Sequence, residues 1–184
     1  MSDFQLEPEL VANVRRVLEL REEAETRGGA ILNERVDIRL DGRGNGPFIV
    51  TKEEFEFVVD EPPIRAGRNT GPNPLAFFVG GAATCYLSHF MMQTISREIP
   101  IDDLRMVARG RFDRRAVGGH LERLVYEIRL ESPADPGDIA DVATTAEKMC
   151  YAHNTLVKAG VEIATRVNLN GDEITVLHAD TSHL

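Results

Sequence analysis

The sequence predicts an α+β fold in which an antiparallel sheet packs against two long central helices. A segment from Pro74 to Arg97 is apolar on nearly all sides, as expected of a helix buried at the centre of a domain or a dimer. Residues 139–158 form a second helical pattern, and the stretches around both helices alternate between apolar and polar residues with a period of two. The order helix, strands, helix, strands, helix, strand favours antiparallel pairing over a βαβ winding.

Size and charge limit the possible functions. The 184 residues are enough for one domain spanning residues 1–184, and the net charge of −9 excludes a nucleic-acid role, which needs clustered Lys and Arg. The first ten residues lack the basic and then apolar pattern of a secretory signal, and no apolar run approaches the ~18 residues of a membrane span. We therefore expect a cytoplasmic protein, where two cysteines favour transient pairing over a structural disulfide.

The first half of the chain contains a helix, several strands and a loop. An amphipathic helix is predicted over about residues 8–28, with Pro8 at its start and an inward face formed by Leu10, Val14, Val17 or Leu18, and Arg21. A half-buried strand follows, with Val36, Ile38 and Leu40 facing inward. Residues 48–59 provide one or two further strands, and residues 61–74 are rich in proline and predict a loop.

The second half begins with the apolar helix, in which Gly80 and Gly81 would let another backbone approach closely. Two antiparallel strands joined at residues 116–119 come next, and a loop over residues 132–138 leads to the second helix. The strand VEIATRVNL closes the domain, and EITVLH adds one more strand.

The two cysteines carry the main chemical signal. Cys85 and Cys150 both lie in helical segments with small neighbours, which suggests a pair of thiols that meet and react. A thiol becomes a nucleophile as the thiolate, but Cys85 lies about three turns into its helix, where the helix dipole gives little help. A nearby cation is therefore required. The candidate cations are Arg43, Arg65 and Arg68.

The spacing of these motifs resembles a known family. The string GPNP and the following apolar helix ending in AATC resemble the signature of the osmotically inducible and organic-hydroperoxide-resistance proteins, the OsmC/Ohr family. Asn73 lies twelve residues before Cys85, as in that signature. The stretch MCYAHNTL, with Asn154 four residues after Cys150, resembles the second cysteine motif of the family. The resemblance covers about residues 36–169, so the N-terminal helix is an addition.

The resemblance implies a thiol-dependent peroxidase that reduces organic hydroperoxides, an oxidoreductase of the antioxidant stress response that needs no cofactor. It implies that Cys85 attacks the peroxide and becomes a sulfenic acid, and that Cys150 resolves it as a disulfide. A dithiol or lipoyl-type reductant then restores the thiols. By the same resemblance Arg43 stabilises the thiolate, and the protein is an interwoven homodimer with active sites between the subunits.

The sequence departs from the family pattern at two positions. Leu75 replaces the acidic residue that would orient the arginine through a charge-assisted hydrogen bond, and Tyr151 replaces the proline after the second cysteine. Leu75, Phe78 and Tyr151 would make the mouth of a substrate pocket apolar, which suits a fatty or aromatic hydroperoxide.

Two alternative functions remain open from the sequence. His89 lies four residues after Cys85 and His153 three residues after Cys150, so the four side chains could form a Cys2His2 zinc site. The chain could also be a catalytically weak relative that binds a small apolar ligand.

Overall fold

The computed structural model describes residues 7–29, 31–42, 44–115 and 117–178. The first helix and the first three strands are α1 (Pro8–Thr26), β1 (Asp37–Leu40), β2 (Phe48–Lys52) and β3 (Phe55–Val59). The central elements are α2 (Pro74–Ser96), β4 (Asp103–Phe112) and β5 (Leu121–Glu131). The last elements are α3 (Pro136–Met149), α4 (Tyr151–Lys158), β6 (Glu162–Leu169) and β7 (Asp172–His178). This mixture of helices and largely antiparallel strands confirms the predicted α+β class.

The chain divides into two compact units, with α2 running through both. The smaller unit is Gly28–Gly80, and the larger unit combines Met1–Arg27 with Gly81–Leu184. The organisation as one domain over residues 1–184 therefore stays a prediction. The extra N-terminal helix belongs to the larger unit and ends at Thr26, two residues before the predicted limit.

The smaller unit contains an antiparallel sheet of order β1-β2-β3. The prediction that Val36, Ile38 and Leu40 face inward is wrong, because these side chains are 50%, 63% and 49% exposed. The physical reason is that both faces of the edge strand β1 are uncovered in this chain, since all four of its residues are exposed, whereas Ile49 and Val50 on the central strand β2 are buried. The apolar alternation therefore identifies a strand correctly but not its burial.

A buried carboxylate organises the proline-rich segment of the smaller unit. The Asp60 side chain accepts hydrogen bonds from the backbone N–H groups of Arg68 and Thr70 and from the Thr70 hydroxyl. Burial alone would raise the pKa of Asp60, but these bonds outweigh it and lower the pKa. The segment is a loop as predicted, except for one 3-10 turn at Pro63–Arg65.

The larger unit is built on a sheet of order β4-β5-β6-β7. The pairs β4–β5 and β6–β7 are antiparallel, as predicted, whereas β5 and β6 are parallel. Parallel neighbours need a crossover connection, and α3 and α4 provide it. One face of the sheet is deeply buried; its residues on β5 and β6 are Leu124, Tyr126, Ile128, Ile163, Thr165 and Val167.

The second central helix is interrupted. The pattern over residues 139–158 predicts one helix, but the structure has α3 and α4 separated at Cys150, whose backbone is extended (φ −77°, ψ 116°). Cys150 ends α3 and serves as the N-cap of α4, since its Sγ accepts the backbone N–H of His153 at 3.4 Å. A cysteine at this position fulfils the capping role that Ser, Thr, Asp or Asn usually fills, which the sequence pattern conceals.

The helix α2 begins where Asn73 Oδ1 accepts the N–H of Ala76. Its second half is buried around Tyr86 and Phe90, whereas most of its first seven residues are exposed in the single chain, so burial of its first half stays a prediction for a dimer. Within this chain a Cβ at Gly80 or Gly81 would meet no heavy atom within 4 Å, so the close backbone approach predicted there stays a prediction for a dimer.

The helix α2 is also long and apolar enough, by length and composition, to cross a membrane. The prediction that no apolar segment approaches this length is therefore wrong. A core helix inside a folded domain meets the same criterion. The second half of α2 has the buried side chains expected of such a core helix.

Candidate functional site

The structure brings the two thiols together in the larger unit. The sulfur atoms of Cys85 on α2 and Cys150 between α3 and α4 lie 3.6 Å apart, and both cysteines are free thiols. A disulfide requires about 2.0 Å between the sulfurs, so a small movement would allow the bond to form. Residues 65 positions apart in sequence thus form a dithiol pair.

The two thiols differ in their access to solvent. Cys150 is fully buried, whereas Cys85 is half-buried. Burial raises the pKa of the Cys150 thiol to about 12, and the neighbouring Cys85 adds to this effect. The N–H of His153 acts in the opposite direction but does not compensate. Cys150 is therefore protonated at neutral pH, and Cys85 is the thiol that a solute can reach first.

The raised pKa of Cys150 can be tested in a variant with one thiol. In Cys85→Ser, alkylation of Cys150 by iodoacetamide should have a pH midpoint well above the ~8.5 of an ordinary cysteine, because burial remains. Mass spectrometry of samples quenched across the pH range gives the midpoint. The same variant unfolded in urea is the control and should titrate near the ordinary value. Coincident midpoints would contradict the assignment.

Two stacked tyrosines lie in the same core. Tyr86 follows Cys85 on α2, and its ring packs on Tyr126 of β5 with centroids 5.3 Å apart. The Tyr86 hydroxyl donates to the carbonyl of Ala143 at 3.1 Å, whereas the buried Tyr126 hydroxyl has no hydrogen-bond partner among the described residues. Burial raises the pKa of both phenols, and thiolates at Cys150 and Cys85 raise that of Tyr126 further.

The unpaired hydroxyl gives a prediction about stability. Tyr126→Phe should raise the free energy of unfolding by about 1 kcal/mol, because it removes a buried polar group that lacks a partner. The matched control Tyr86→Phe should lower it by about 1 kcal/mol, because it removes the bond to Ala143. Urea unfolding of both variants measures the difference. A destabilised Tyr126→Phe would show that the hydroxyl has a partner.

The sequence reasoning missed a half-buried carboxylate at Glu147, three residues before Cys150. Its Oε1 accepts the Thr165 hydroxyl at 2.7 Å, and burial raises its pKa. Helical spacing could have indicated this, because Glu147 lies one turn after the buried Ala143 and so on the same face of α3.

The role of the three candidate cations beside the thiol pair stays a prediction. Arg43 lies outside the residues that the structure describes. Arg65 forms an ion pair with Glu61 at 3.4 Å, and the Arg68 guanidinium lies against Gly42, all within the smaller unit. Leu75 and Phe78, also in that unit, are 44% and 49% exposed on the first turns of α2. A pocket that they share with Tyr151 stays a prediction.

A different arginine reaches the residues around the thiols. Arg21 of α1 donates from Nη1 to Nδ1 of His89 at 3.3 Å and from Nη2 to the carbonyl of Met149 at 3.4 Å. Its guanidinium carbon also lies 4.9 Å from the ring centre of Tyr151, in cation–π contact. The sequence placed Arg21 on the inward face of α1 but gave it no role. Within that face, Leu10 is exposed and Val11 is the buried residue.

The contact with Arg21 fixes the state of His89. Burial lowers the pKa of His89, and the charge of Arg21 lowers it further, so the imidazole is neutral at pH 7. Because a guanidinium can only donate, Nδ1 is the acceptor and Nε2 carries the hydrogen.

The zinc alternative gains no support from this geometry. Among the described residues, no three His, Cys, Asp or Glu side chains are grouped closely enough to hold a metal ion. The nitrogen of His89 that faces Arg21 is engaged by a cation, and His153 Nδ1 is buried without a hydrogen-bond partner in the described part of the chain.

Comparison with known proteins identifies the family. Residues 67–166 match the family model of the OsmC-like proteins, which is more than half of the chain. The chain therefore belongs to the OsmC-like family, and the resemblance drawn from the two cysteine motifs is confirmed. A protein of Haloferax volcanii described as uncharacterized is 30% identical over 120 residues, covering 65% of this chain and 87% of that protein.

Solved structures share the fold. An OsmC-like protein from Mycoplasma pneumoniae is 24% identical with a TM-score of 0.63, covering 75% of this chain and 99% of that one. An organic hydroperoxide resistance protein from Elizabethkingia anophelis, with thiocyanate bound, is 19% identical with a TM-score of 0.60 and covers 77% of this chain and 100% of that one. At these identities the likeness establishes the OsmC-like fold.

Proposed function

We propose that the protein is a thiol-dependent peroxidase that reduces organic hydroperoxides. The observation that carries the proposal is the 3.6 Å separation of the Cys85 and Cys150 sulfurs, in a chain of the OsmC-like family. Structural relatives named organic hydroperoxide resistance proteins support the substrate class.

The unequal burial of the thiols supports the order of events. The Cys85 thiolate attacks the hydroperoxide, the O–O bond breaks, and Cys85 becomes a sulfenic acid while the departing alkoxide takes a proton to form an alcohol. Cys150 then loses its proton and attacks the Cys85 sulfur, which forms the disulfide and releases water. A dithiol or lipoyl-type reductant returns both thiols. The reactive pair is internal to the chain, so the cycle needs no metal or organic cofactor in this proposal.

The thiol cycle can be tested by counting thiols. A stoichiometric amount of cumene hydroperoxide should consume two thiols per chain, faster than it oxidises free cysteine, as read with a thiol-specific dye after quenching. Cys85→Ser should abolish the rapid loss, and Cys150→Ser should lose one thiol and retain a sulfenic acid that dimedone traps. Thiols that react no faster than free cysteine would reject the peroxidase and favour the ligand-binding alternative.

We also propose that the protein is a cytoplasmic homodimer. Apolar side chains of the smaller unit support the dimer, because Ile38 and Phe55 are each 63% exposed and Leu40, Leu75 and Phe78 are close to half exposed. Thiols that cycle between two states suit the reducing cytoplasm.

Light scattering tests the oligomeric state. The mass in solution should be twice the chain mass of 20.4 kDa. Ile38→Glu should shift the equilibrium toward the monomer by placing a charge among the exposed apolar side chains of the smaller unit. Val117→Glu is the matched control, since Val117 is 89% exposed in the hairpin loop of the larger unit. A single-chain mass for the unaltered protein at micromolar concentration would reject the dimer.

A further inference from the structure

Polar contacts attach the helix α1 to the rest of the larger unit at two points. Arg15 donates from Nε to the carbonyl of Ser96 at 2.9 Å, and its Nη2 lies 2.7 Å from a carboxylate oxygen of Glu98. Two turns further along α1, Arg21 makes its three contacts around the thiols. These two attachments fix both the position of α1 along α2 and the side that it turns toward the cysteines.

Arg21 differs from its neighbours on α1 in what it binds. Arg15 pairs with Glu98, and Arg16 pairs with Glu19 and Glu23 on the surface. Arg21 is half-buried and has no carboxylate within salt-bridge distance in the described ranges of the chain; its partners are a neutral imidazole, a carbonyl and an aromatic ring. A surface ion pair therefore does not explain the position of Arg21. Its position is explained by the ability of one guanidinium to hydrogen-bond and stack with several groups at once.

The three partners of Arg21 all adjoin the dithiol. Met149 and Tyr151 are the residues immediately before and after Cys150, and His89 lies one turn after Cys85 on α2. The planar guanidinium of Arg21 thus connects α2, which carries Cys85, to the residues on both sides of Cys150. Cys150 needs such support because its extended backbone makes it the joint between α3 and α4.

We propose that Arg21 is a positioning residue that holds Cys150 in reach of Cys85 for disulfide formation. This proposal rests on the proposed peroxidase cycle and concerns its second step. In that step the S–S bond forms, the S–O bond of the Cys85 sulfenic acid and the S–H bond of Cys150 break, and water leaves. The oxidising equivalents come from the organic hydroperoxide consumed in the first step. Arg21 touches neither sulfur in this account and acts by fixing residues 149 and 151.

A comparison of three variants separates positioning from general damage. Arg21→Ala should leave sulfenic acid formation within about twofold of the parent protein but slow disulfide formation about tenfold or more, because small displacements of reacting groups are costly. Arg21→Lys should lie between the two, since one ammonium can keep part of the contacts. Arg16→Ala is the matched control on the same helix and should behave as the parent. Rapid-quench mass spectrometry with dimedone resolves the two steps.

A second oxidant makes the test independent of peroxidase activity. Diamide converts two thiols to a disulfide: the first thiol adds across its N=N bond, and the second thiol then attacks that sulfur, so that the S–S bond forms, the S–N bond breaks and the hydrazine leaves. The same order of rates should appear with diamide: Arg16→Ala fastest, then Arg21→Lys, then Arg21→Ala. Absence of sulfenic acid in Cys150→Ser with hydroperoxide would reject the peroxidase, while the diamide series would still test Arg21.

Two results would overturn the positioning role. Disulfide formation in Arg21→Ala at the rate of Arg16→Ala with both oxidants would show that Cys150 is held without Arg21. Equal slowing of sulfenic acid formation and disulfide formation would show a general disturbance of the core. If Arg21→Ala fails to fold, the comparison of Arg21→Lys with Arg16→Ala decides, and equal rates would overturn the proposal.

Discussion

The approach of the two sulfur atoms is the constraint on which the rest of the larger unit depends. It requires α2 to pass alongside the crossover between β5 and β6, and it requires that crossover to open by one residue at Cys150. The stacked rings of Tyr86 and Tyr126 join the same helix to the sheet. Together these features place the sulfur pair against the packed core of the larger unit.

Burial gives the two thiols different properties from the same chemical group. A thiol enclosed by core side chains holds its proton because a thiolate would lose its hydration there, as the raised pKa of Cys150 reflects. Such a thiol suits a step in which its partner has already been activated. The half-buried Cys85 is the thiol open to an incoming solute, which is why the proposed cycle begins there.

Much of the fold could be predicted from the sequence, and the missing parts have identifiable causes. Alternation and glycine or proline boundaries located the strands and helices, and the two cysteine motifs identified the family. The break at Cys150 escaped because a cysteine cap leaves no mark in a helical pattern. The exposure of Ile38 escaped because alternation does not distinguish an edge strand from a central one. The Arg21 contacts escaped because they join segments 68 and 128 residues apart.

The parallel pairing of β5 with β6 has a consequence for how this chain can vary. The segment carrying Cys150 is anchored at both ends in neighbouring parallel strands, so it must return along the length of the strands through its two packed helices. The hairpin turn between β4 and β5 carries no such restriction, because antiparallel neighbours tolerate loops of many lengths. Insertions and deletions among homologues should therefore accumulate at that turn, while the stretch from β5 to β6 keeps its residue count.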